Sequence, residues 1–346
     1  MKEKLDAILT AAFEIGTSDI HLTVGVPPMM RLNGELKKFG QEPLKPSDTE
    51  EMAKAIIPDS MWKQFKETGE LDFSYGIEGV SRFRVNAFHQ RSCISLAIRV
   101  IPTRIPTFDE LGLPSVLSDL AIQPQGLILV TGPTGSGKST TLAAMLDKMN
   151  RTVKKHIITL EDPIEYLHKH GTCIIDQREI GFDTKSFSNA LRACLRQDPD
   201  VILVGEMRDL ETISTAITAA ETGHLVLATL HTTDAPTTID RIIDVFPSEQ
   251  QAQVRIQLAS VLRAIISQRL FQHKQQNSRI GAFEILINNP AIRNLIRNEK
   301  IHQIQSVMQT SKAAGMQTMQ MAIQALVEQE KISANDARPY LLDGVL

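Results

Sequence analysis

One stretch of eight residues, Gly132–Ser139, most constrains what this chain can fold into. It reads G-P-T-G-S-G-K-S, follows the apolar run 127–130 and precedes the helix-like segment 140–146. A glycine loop between a strand and a helix lets backbone N–H groups and a helix N-terminus surround a polyphosphate. The sequence therefore predicts a nucleoside triphosphate site, in which Lys138 reaches the terminal phosphates and the Ser139 hydroxyl helps to hold Mg²⁺. The predicted binding residues are Gly132, Pro133, Thr134, Gly135, Ser136, Gly137, Lys138, Ser139 and Thr140.

The composition limits the kinds of protein that could carry this site. The chain has 346 residues, a formal net charge of −3 and 42% hydrophobic residues, as an ordinary globular protein has. Its charge gives no global attraction to nucleic acid or to anionic lipid, and no segment reaches the roughly 20 apolar residues that span a bilayer. Its three cysteines are scattered, which suits a reducing compartment. We therefore expect a cytoplasmic protein without a membrane span, able to dock on a membrane-embedded partner.

The pattern along the chain predicts two folded parts and a helical end. Residues 1–100 combine a helical start with short alternating strands, as an α+β domain does. Three prolines make 101–116 a semi-rigid linker. Residues 117–290 alternate apolar strands with helices, which indicates a largely parallel sheet covered on both faces. Residues 291–346 are predicted to be helical. The predicted strands of the larger domain are 127–131, 157–160, 201–204, 225–230 and 282–287, and its predicted helices include 186–195 and 209–221.

Two local signals in the first part are specific enough to test. Asn33-Gly34 between the short segments 30–32 and 35–36 predicts a β-hairpin. Ser47 or Asp48 is predicted to cap a polar helix that ends at about Ile57.

Acidic residues end two of the predicted strands. Asp200–Glu206 is an apolar strand that closes on an acid, the Walker B pattern, with Glu206 where Asp is usual. Glu161, Asp162 and Glu165 follow the strand at 157–160. Because parallel strands present their carboxyl ends to one crevice, all of these groups can approach the γ-phosphate. We expect Glu206 to contact the metal through water, and one of the other three to orient or deprotonate the attacking water. The alternative for two of these three is a structural role, capping a helix or pairing with a nearby cation.

A third strand lies between two histidines, His224 and His231. They flank the run 225–230 at opposite ends, so they are poorly placed to share a metal ion. His231 lies at the carboxyl end, where it can sense the γ-phosphate. The alternative is that each histidine is only a satisfied hydrogen-bonding group.

Together these elements resemble the secretion ATPases of bacterial type II and type IV systems. The stretches quoted above match the family's Walker A, Asp box (Thr159–Glu165), Walker B and His box. Residues 291–297 (A-I-R-N-L-I-R) and 315–319 (G-M-Q-T-M) are similar to signatures of its pilus-retraction subfamily. The tetracysteine zinc element of extension and secretion motors is absent from the sequence.

The resemblance implies a PAS-like α+β N-terminal domain, a RecA-like P-loop ATPase domain with a helical C-terminal region, and a ring of six subunits. It implies ATP and Mg²⁺ as cofactors, and an inner-membrane pilus platform protein as partner. Glu165 would activate water, Glu206 would support the Mg²⁺ shell, and Arg82 and Arg99 would complete the site, with Arg84 as an alternative. Helix 291–297 would transmit nucleotide state to the pilus machinery. The implied function is ATP-driven type IV pilus retraction, which powers twitching motility.

Three rival functions remain open at this point. One is an accessory retraction ATPase of the same subfamily. Another is a RecA-like nucleic-acid translocase, although aromatic residues make up only 5% of the chain, so few side chains are available to stack on bases. The last is a regulator that binds ATP with negligible turnover, which the full set of carboxylates disfavours.

Overall fold

The computed structural model describes residues 1–32, 34–276 and 278–341, and these form two compact units. The first unit contains Met1–Arg104 together with Glu165–Leu167. The second contains Ile105–Ile164 and the described residues from His168 onward.

The first unit is a PAS-like α+β domain. In chain order its elements are α1 (Lys2–Ile15), β1 (Asp19–Leu22), β2 (Met29–Leu32), β3 (Glu35–Lys38), α2 (Pro46–Ile56), α3 (Asp59–Thr68), β4 (Glu70–Ile77), β5 (Ser81–Gln90) and β6 (Cys93–Val100). Its described strands form one antiparallel sheet in the order β3-β2-β1-β6-β5-β4. Alternation along β5 buries Phe83, Val85 and Ala87, so Arg82 and Arg84 lie on the opposite, polar face.

The two local predictions in this unit had different outcomes. Strands β2 and β3 pair as a hairpin with Leu32 opposite Glu35, while Asn33 itself lies outside the described residues. The predicted helix cap was wrong: α2 begins at Pro46, and the Asp48 carboxylate accepts the Lys45 N–H at 2.8 Å from inside the first turn. Proline suits the first helical position because its missing N–H would have no partner there.

The second unit is a RecA-like α/β domain followed by helices. In chain order its elements are α4 (Phe108–Leu111), α5 (Val116–Ala121), β7 (Gly126–Thr131), α6 (Lys138–Thr152), β8 (His156–Glu161), β9 (Ile174–Glu179), α7 (Phe187–Cys194), β10 (Val201–Val204), α8 (Leu210–Glu221), β11 (Leu225–Leu230), α9 (Ala235–Asp244), α10 (Ser248–Val261), β12 (Leu262–Gln272), β13 (Arg279–Ile287), α11 (Pro290–Arg297), α12 (Ile304–Thr310), α13 (Met319–Glu328) and α14 (Ala334–Ala337). Short 3₁₀ turns cover Ile301–Gln303, Lys312–Ala314 and Arg338–Tyr340.

The sheet of this unit is buried on both faces, as the apolar strands predict. Its described strands follow the order β13-β12-β7-β11-β10-β8-β9, and all pairings are parallel except that of β12 with β13. Along β7, Leu127 and Leu129 pack with the core under α7 to α11, whereas Ile128 and Val130 pack with the core under α5 and α6. The parallel pairing brings the carboxyl ends of β7, β8, β10 and β11 to one edge.

The structure adds elements that the sequence pattern missed. Strands β9 and β12 were not predicted, and β12 lies between β7 and β13. The proline-rich stretch 101–116 contains the helical turn α4, which the Thr107 side chain caps by accepting the Glu110 N–H at 3.3 Å. Up to Leu341 the C-terminal region is a series of short helices rather than one continuous helix. Residues 342–346, part of the region predicted to be helical, lie outside the described residues.

Candidate nucleotide-binding site

The glycine motif forms the loop between β7 and α6. Strand β7 ends at Thr131, and α6 begins at Lys138, so the loop delivers its last residues to a helix N-terminus. Gly137 caps that helix with φ of 89°, a left-handed conformation that a glycine adopts without steric cost. The first N–H groups and the positive dipole end of α6 therefore face the loop, where they favour an anion.

The interior of the loop fits a polar ligand. A Cβ at Gly132 would lie 2.4 Å from the Gln268 carbonyl oxygen and 2.7 Å from Ser136 Oγ, so only glycine can occupy this position. Ser136 is 3% exposed, and its Oγ is buried without a hydrogen bond to any residue that the structure describes. A buried hydroxyl without a partner costs free energy, and a phosphate oxygen would relieve that cost.

Three of the predicted catalytic and binding side chains lie in contact around this loop. Lys138 Nζ donates to the Gly132 and Pro133 carbonyl oxygens at 2.7 and 3.1 Å, and it lies 3.5 Å from His231 Nδ1. His231 Nε2 lies 3.0 Å from Glu206 Oε1. A neutral imidazole with its proton on Nε2 satisfies both contacts, because Nδ1 then accepts from the lysine. The structure therefore links the Walker A lysine, the His-box histidine and the Walker B glutamate in one chain of contacts.

Arg208 extends this chain toward solvent. Its Nε lies 2.5 Å from Glu206 Oε1, and its side chain is 76% exposed whereas that of Glu206 is 19% exposed. The hydrogen bond and charge of Glu206 raise the pKa of Arg208 above its ordinary value. The same oxygen of Glu206 thus contacts both an arginine and a histidine, so the Walker B acid is held in place before any ligand contact.

Glu161, the first acid of the Asp box, has side-chain partners within its own unit. Its Oε1 accepts from Thr159 Oγ1 at 2.6 Å and from Gln177 Nε2 at 3.1 Å. Thr159 and Gln177 are directly opposite each other on the paired strands β8 and β9. This arrangement orients the Glu161 carboxylate at the carboxyl end of β8, as a structural acid would be oriented.

The remaining predicted site residues belong to the first unit. Glu165 lies in the segment Glu165–Leu167 that groups with it, and Arg82 and Arg99 lie on the polar face of its sheet. Arg99 Nε contacts Asp19 Oδ1 at 2.9 Å. Burial is the largest single influence and raises the pKa of Asp19, but the hydrogen bonds from Arg99 and Ser18 and the nearby positive charge together outweigh it, so the pKa falls below its ordinary value. The roles of Glu165, Arg82 and Arg99 remain predictions.

The donor set suits a magnesium ion that arrives with its nucleotide. Among the described residues, no cluster of three or more His, Cys, Asp or Glu side chains could hold a metal ion. Mg²⁺ usually keeps several waters and binds through substrate phosphates and one or two protein groups. The Ser139 hydroxyl, in the first turn of α6, and Glu206, two residues beyond the carboxyl end of β10, are groups of that kind.

A buried acid, Glu284 in β13, was missed in the sequence. It is 1% exposed, and its two oxygens accept the N–H groups of Ala235 at 2.7 Å and Met319 at 3.2 Å. These are the first residues of α9, which follows the His box, and of α13 in the C-terminal region. Burial raises the pKa of Glu284 even though both N–H groups act in the opposite direction. An acid inside the apolar stretch 280–287 is the one signal that pointed to it.

Comparison with known proteins shows that the chain is similar to secretion and pilus ATPases over nearly its whole length. The family model described as "Type II/IV secretion system protein" matches residues 1–337. The chain is 50% identical to the type IV pilus retraction ATPase PilT of Pseudomonas aeruginosa over 96% of each chain. It is 42% identical to the type IV pilus ATPase PilU of the same organism, over 96% of this chain and 87% of PilU. A crystal structure of the pilus retraction motor PilT with bound ADP matches with a TM-score of 0.89 and 51% identity, covering 97% of this chain and 96% of that one.

Proposed function

This chain belongs to the family of type II/IV secretion system proteins, and we propose that it is the ATP-hydrolysing motor that retracts type IV pili. The observation that carries the proposal is the contact chain from Lys138 through His231 to Glu206, because it assembles the three family motifs around one phosphate-binding loop. The higher identity to PilT than to PilU, 50% against 42%, favours the main retraction motor over an accessory one.

The loop binds the substrate ATP by its β- and γ-phosphates. Backbone N–H groups of the loop and the N-terminus of α6 supply donors without a counter-charge. Lys138 exchanges its carbonyl partners for phosphate oxygens, which places its positive charge where negative charge develops during phosphoryl transfer. A nucleotide-associated Mg²⁺ would neutralise further phosphate charge, with the Ser139 hydroxyl and a water-mediated contact from Glu206 as its protein groups.

Glu165 is proposed to orient and deprotonate the attacking water. Glu161 is the less suitable base because Thr159 and Gln177 already donate to it. His231 lies between Lys138 and Glu206, so a change in the lysine contact on γ-phosphate release would reach the Walker B acid through the imidazole. Arg82 and Arg99 are proposed to add positive charge from the first domain when the site closes.

The proposed assembly is a ring of six subunits in the cytoplasm, at the pilus base. Within the described residues, every helix is too short or too polar to cross a bilayer. The partner would be an inner-membrane platform protein, and successive domain closures around the ring would withdraw pilin subunits into the membrane. A nucleic acid is not proposed as a partner.

The test in cells uses a deletion strain complemented with the wild-type chain, with Lys138→Ala or with Lys154→Ala. Lys154 is an exposed lysine shortly after α6 and serves as the matched control. We expect the deletion and Lys138→Ala strains to be hyperpiliated and unable to twitch, and the wild-type and Lys154→Ala strains to be normal. Normal twitching with Lys138→Ala would refute the proposal.

A further inference from the structure

Gln268 is a buried amide beside the phosphate-binding loop. It lies in β12, whose neighbour β7 leads into the loop, and it is 3% exposed. Its Nε2 donates to the Ser136 carbonyl oxygen at 2.6 Å, and its Oε1 accepts from the Thr141 hydroxyl at 2.9 Å. One side chain therefore holds the loop and the first turn of α6 in a fixed relation.

The loop backbone lies directly against this side chain. A Cβ at Gly137 would lie 2.8 Å from Gln268 Nε2, and a Cβ at Gly132 would lie 2.4 Å from the Gln268 carbonyl oxygen. The side chain of Gln268 therefore requires a glycine at 137, and the main-chain carbonyl of the same residue requires one at 132. The preceding residue of β12 supports the same geometry, because Ser267 Oγ accepts from the Thr131 hydroxyl at 2.8 Å.

Because a peptide group is planar, this contact also fixes the direction of an N–H group that can donate to a phosphate. The Ser136 carbonyl and the Gly137 N–H belong to one trans peptide, in which the two groups point in opposite directions. Because Gln268 fixes the carbonyl on its own side, the Gly137 N–H is directed away from β12. If Gln268 released the carbonyl, this peptide would be free to rotate and the N–H would lose its direction.

We propose that Gln268 is a positioning residue for nucleotide binding, which orients the Gly137 N–H toward the phosphates by holding the Ser136 carbonyl. The inference rests on the proposed nucleotide site and adds a residue that lies outside every motif of the sequence. Gln268 itself need not contact ATP. Its effect on binding is exerted through the peptide group between Ser136 and Gly137.

The consequence for kinetics is specific. A loop N–H that contacts phosphate equally in the ground state and in the transition state contributes uniform binding, so its loss raises KM and leaves kcat unchanged. A residue that only stabilised the fold would instead lower the amount of active protein, which reduces the apparent kcat at constant KM. Measuring KM and kcat separately therefore distinguishes a positioning role from a purely structural one.

The experiment compares Gln268→Met with Gln272→Met in the full-length protein. Methionine keeps the length of the side chain but removes both hydrogen bonds, and Gln272 is an exposed glutamine at the end of the same strand. We expect Gln268→Met to raise KM for ATP and the Kd for ADP by about tenfold or more, since the hydrogen bond from the Gly137 N–H to a charged phosphate would be weakened. We expect kcat to stay within about twofold of wild type, and Gln272→Met to match wild type in both constants.

Thr141→Val decides the question if Gln268→Met does not fold. Valine has nearly the shape of threonine and removes only the donor to Gln268 Oε1, so it loosens the amide without a large cavity. We expect a smaller rise in KM in the same direction. If Gln268→Met folds and has the wild-type KM, the inference about Gln268 is overturned. If Gln268→Met does not fold, a wild-type KM for Thr141→Val overturns it instead. Neither result would affect the proposed function. Wild-type protein that binds neither ATP nor ADP would overturn the proposed function itself.

Discussion

Helix α11 offers a prediction in which packing and mechanical output can be separated. Its buried face consists of Ile292, Leu295 and Ile296, which join the core that includes α8 to α10. Leu295 is 8% exposed, and Leu295→Ala removes three buried carbon atoms. At about 0.8 kcal/mol for each, the loss is about 2.5 kcal/mol before any cavity term. Measured core changes of this type cost about 2–5 kcal/mol.

The assay is urea unfolding of purified protein, followed by circular dichroism, together with phosphate release and twitching in cells. A loss of 2.5 kcal/mol shifts the unfolding equilibrium by about 60-fold, so the midpoint should fall clearly. Arg297→Ala is the matched control because Arg297 is exposed on the same helix. We expect it to keep its stability within about 0.5 kcal/mol of wild type. If Leu295→Ala unfolds at the same urea concentration as wild type, the packing argument is refuted. If Arg297→Ala keeps stability and ATPase but loses twitching, the exposed face of α11 carries the output.

Two further predictions concern the acids. Glu165→Gln should keep ATP binding and stop turnover, because it cannot take a proton from water; hydrolysis at the wild-type rate would make Glu161 the candidate base instead. Burial raises the pKa of Glu284 in the folded protein above its ordinary value of 4.5. The folded protein therefore holds this proton more tightly than the unfolded chain does. The resulting stabilisation is fully present below pH 4.5 and is lost as the pH rises through the folded pKa. The free energy of unfolding of wild type minus that of Glu284→Gln should therefore fall as the pH rises above the ordinary pKa of 4.5, whereas a pH-independent difference would contradict the raised pKa.

The sequence predicts best those parts of the site whose signals are local. The glycine loop, the acid that closes 201–206 and the histidine that follows β11 are each read from one short segment, because a parallel strand and its carboxyl-terminal residue are adjacent in the chain. These three segments are expected at the same edge of the sheet because the strands that precede them are parallel. Within the second unit, Lys138, His231 and Glu206 lie in contact with one another in that order, through His231.

The parts that could not be predicted depend on contacts between distant segments. Strand β12 begins at Leu262, directly after the last residue of α10, with no glycine or proline to mark the change. The β-branched pair Ile265-Ile266 was the available signal, and it is too short to distinguish a strand from a buried helix. Without β12, nothing indicates that Gln268 would lie against a loop that is 132 residues away in the chain. Glu284 was hidden for a related reason, because its partners are helix N-termini from two other regions.

The most direct test of the central claim is phosphate release from ATP and Mg²⁺ by purified wild type, Lys138→Ala and Lys154→Ala, with isothermal calorimetry on the same samples. The account predicts binding and steady turnover by wild type and Lys154→Ala. It predicts weakened binding and no turnover by Lys138→Ala, since the lysine that reaches from the Gly132 carbonyl to His231 would be gone. Equal turnover by wild type and Lys138→Ala, or a folded wild-type protein that gives no heat of binding with ATP, would contradict it.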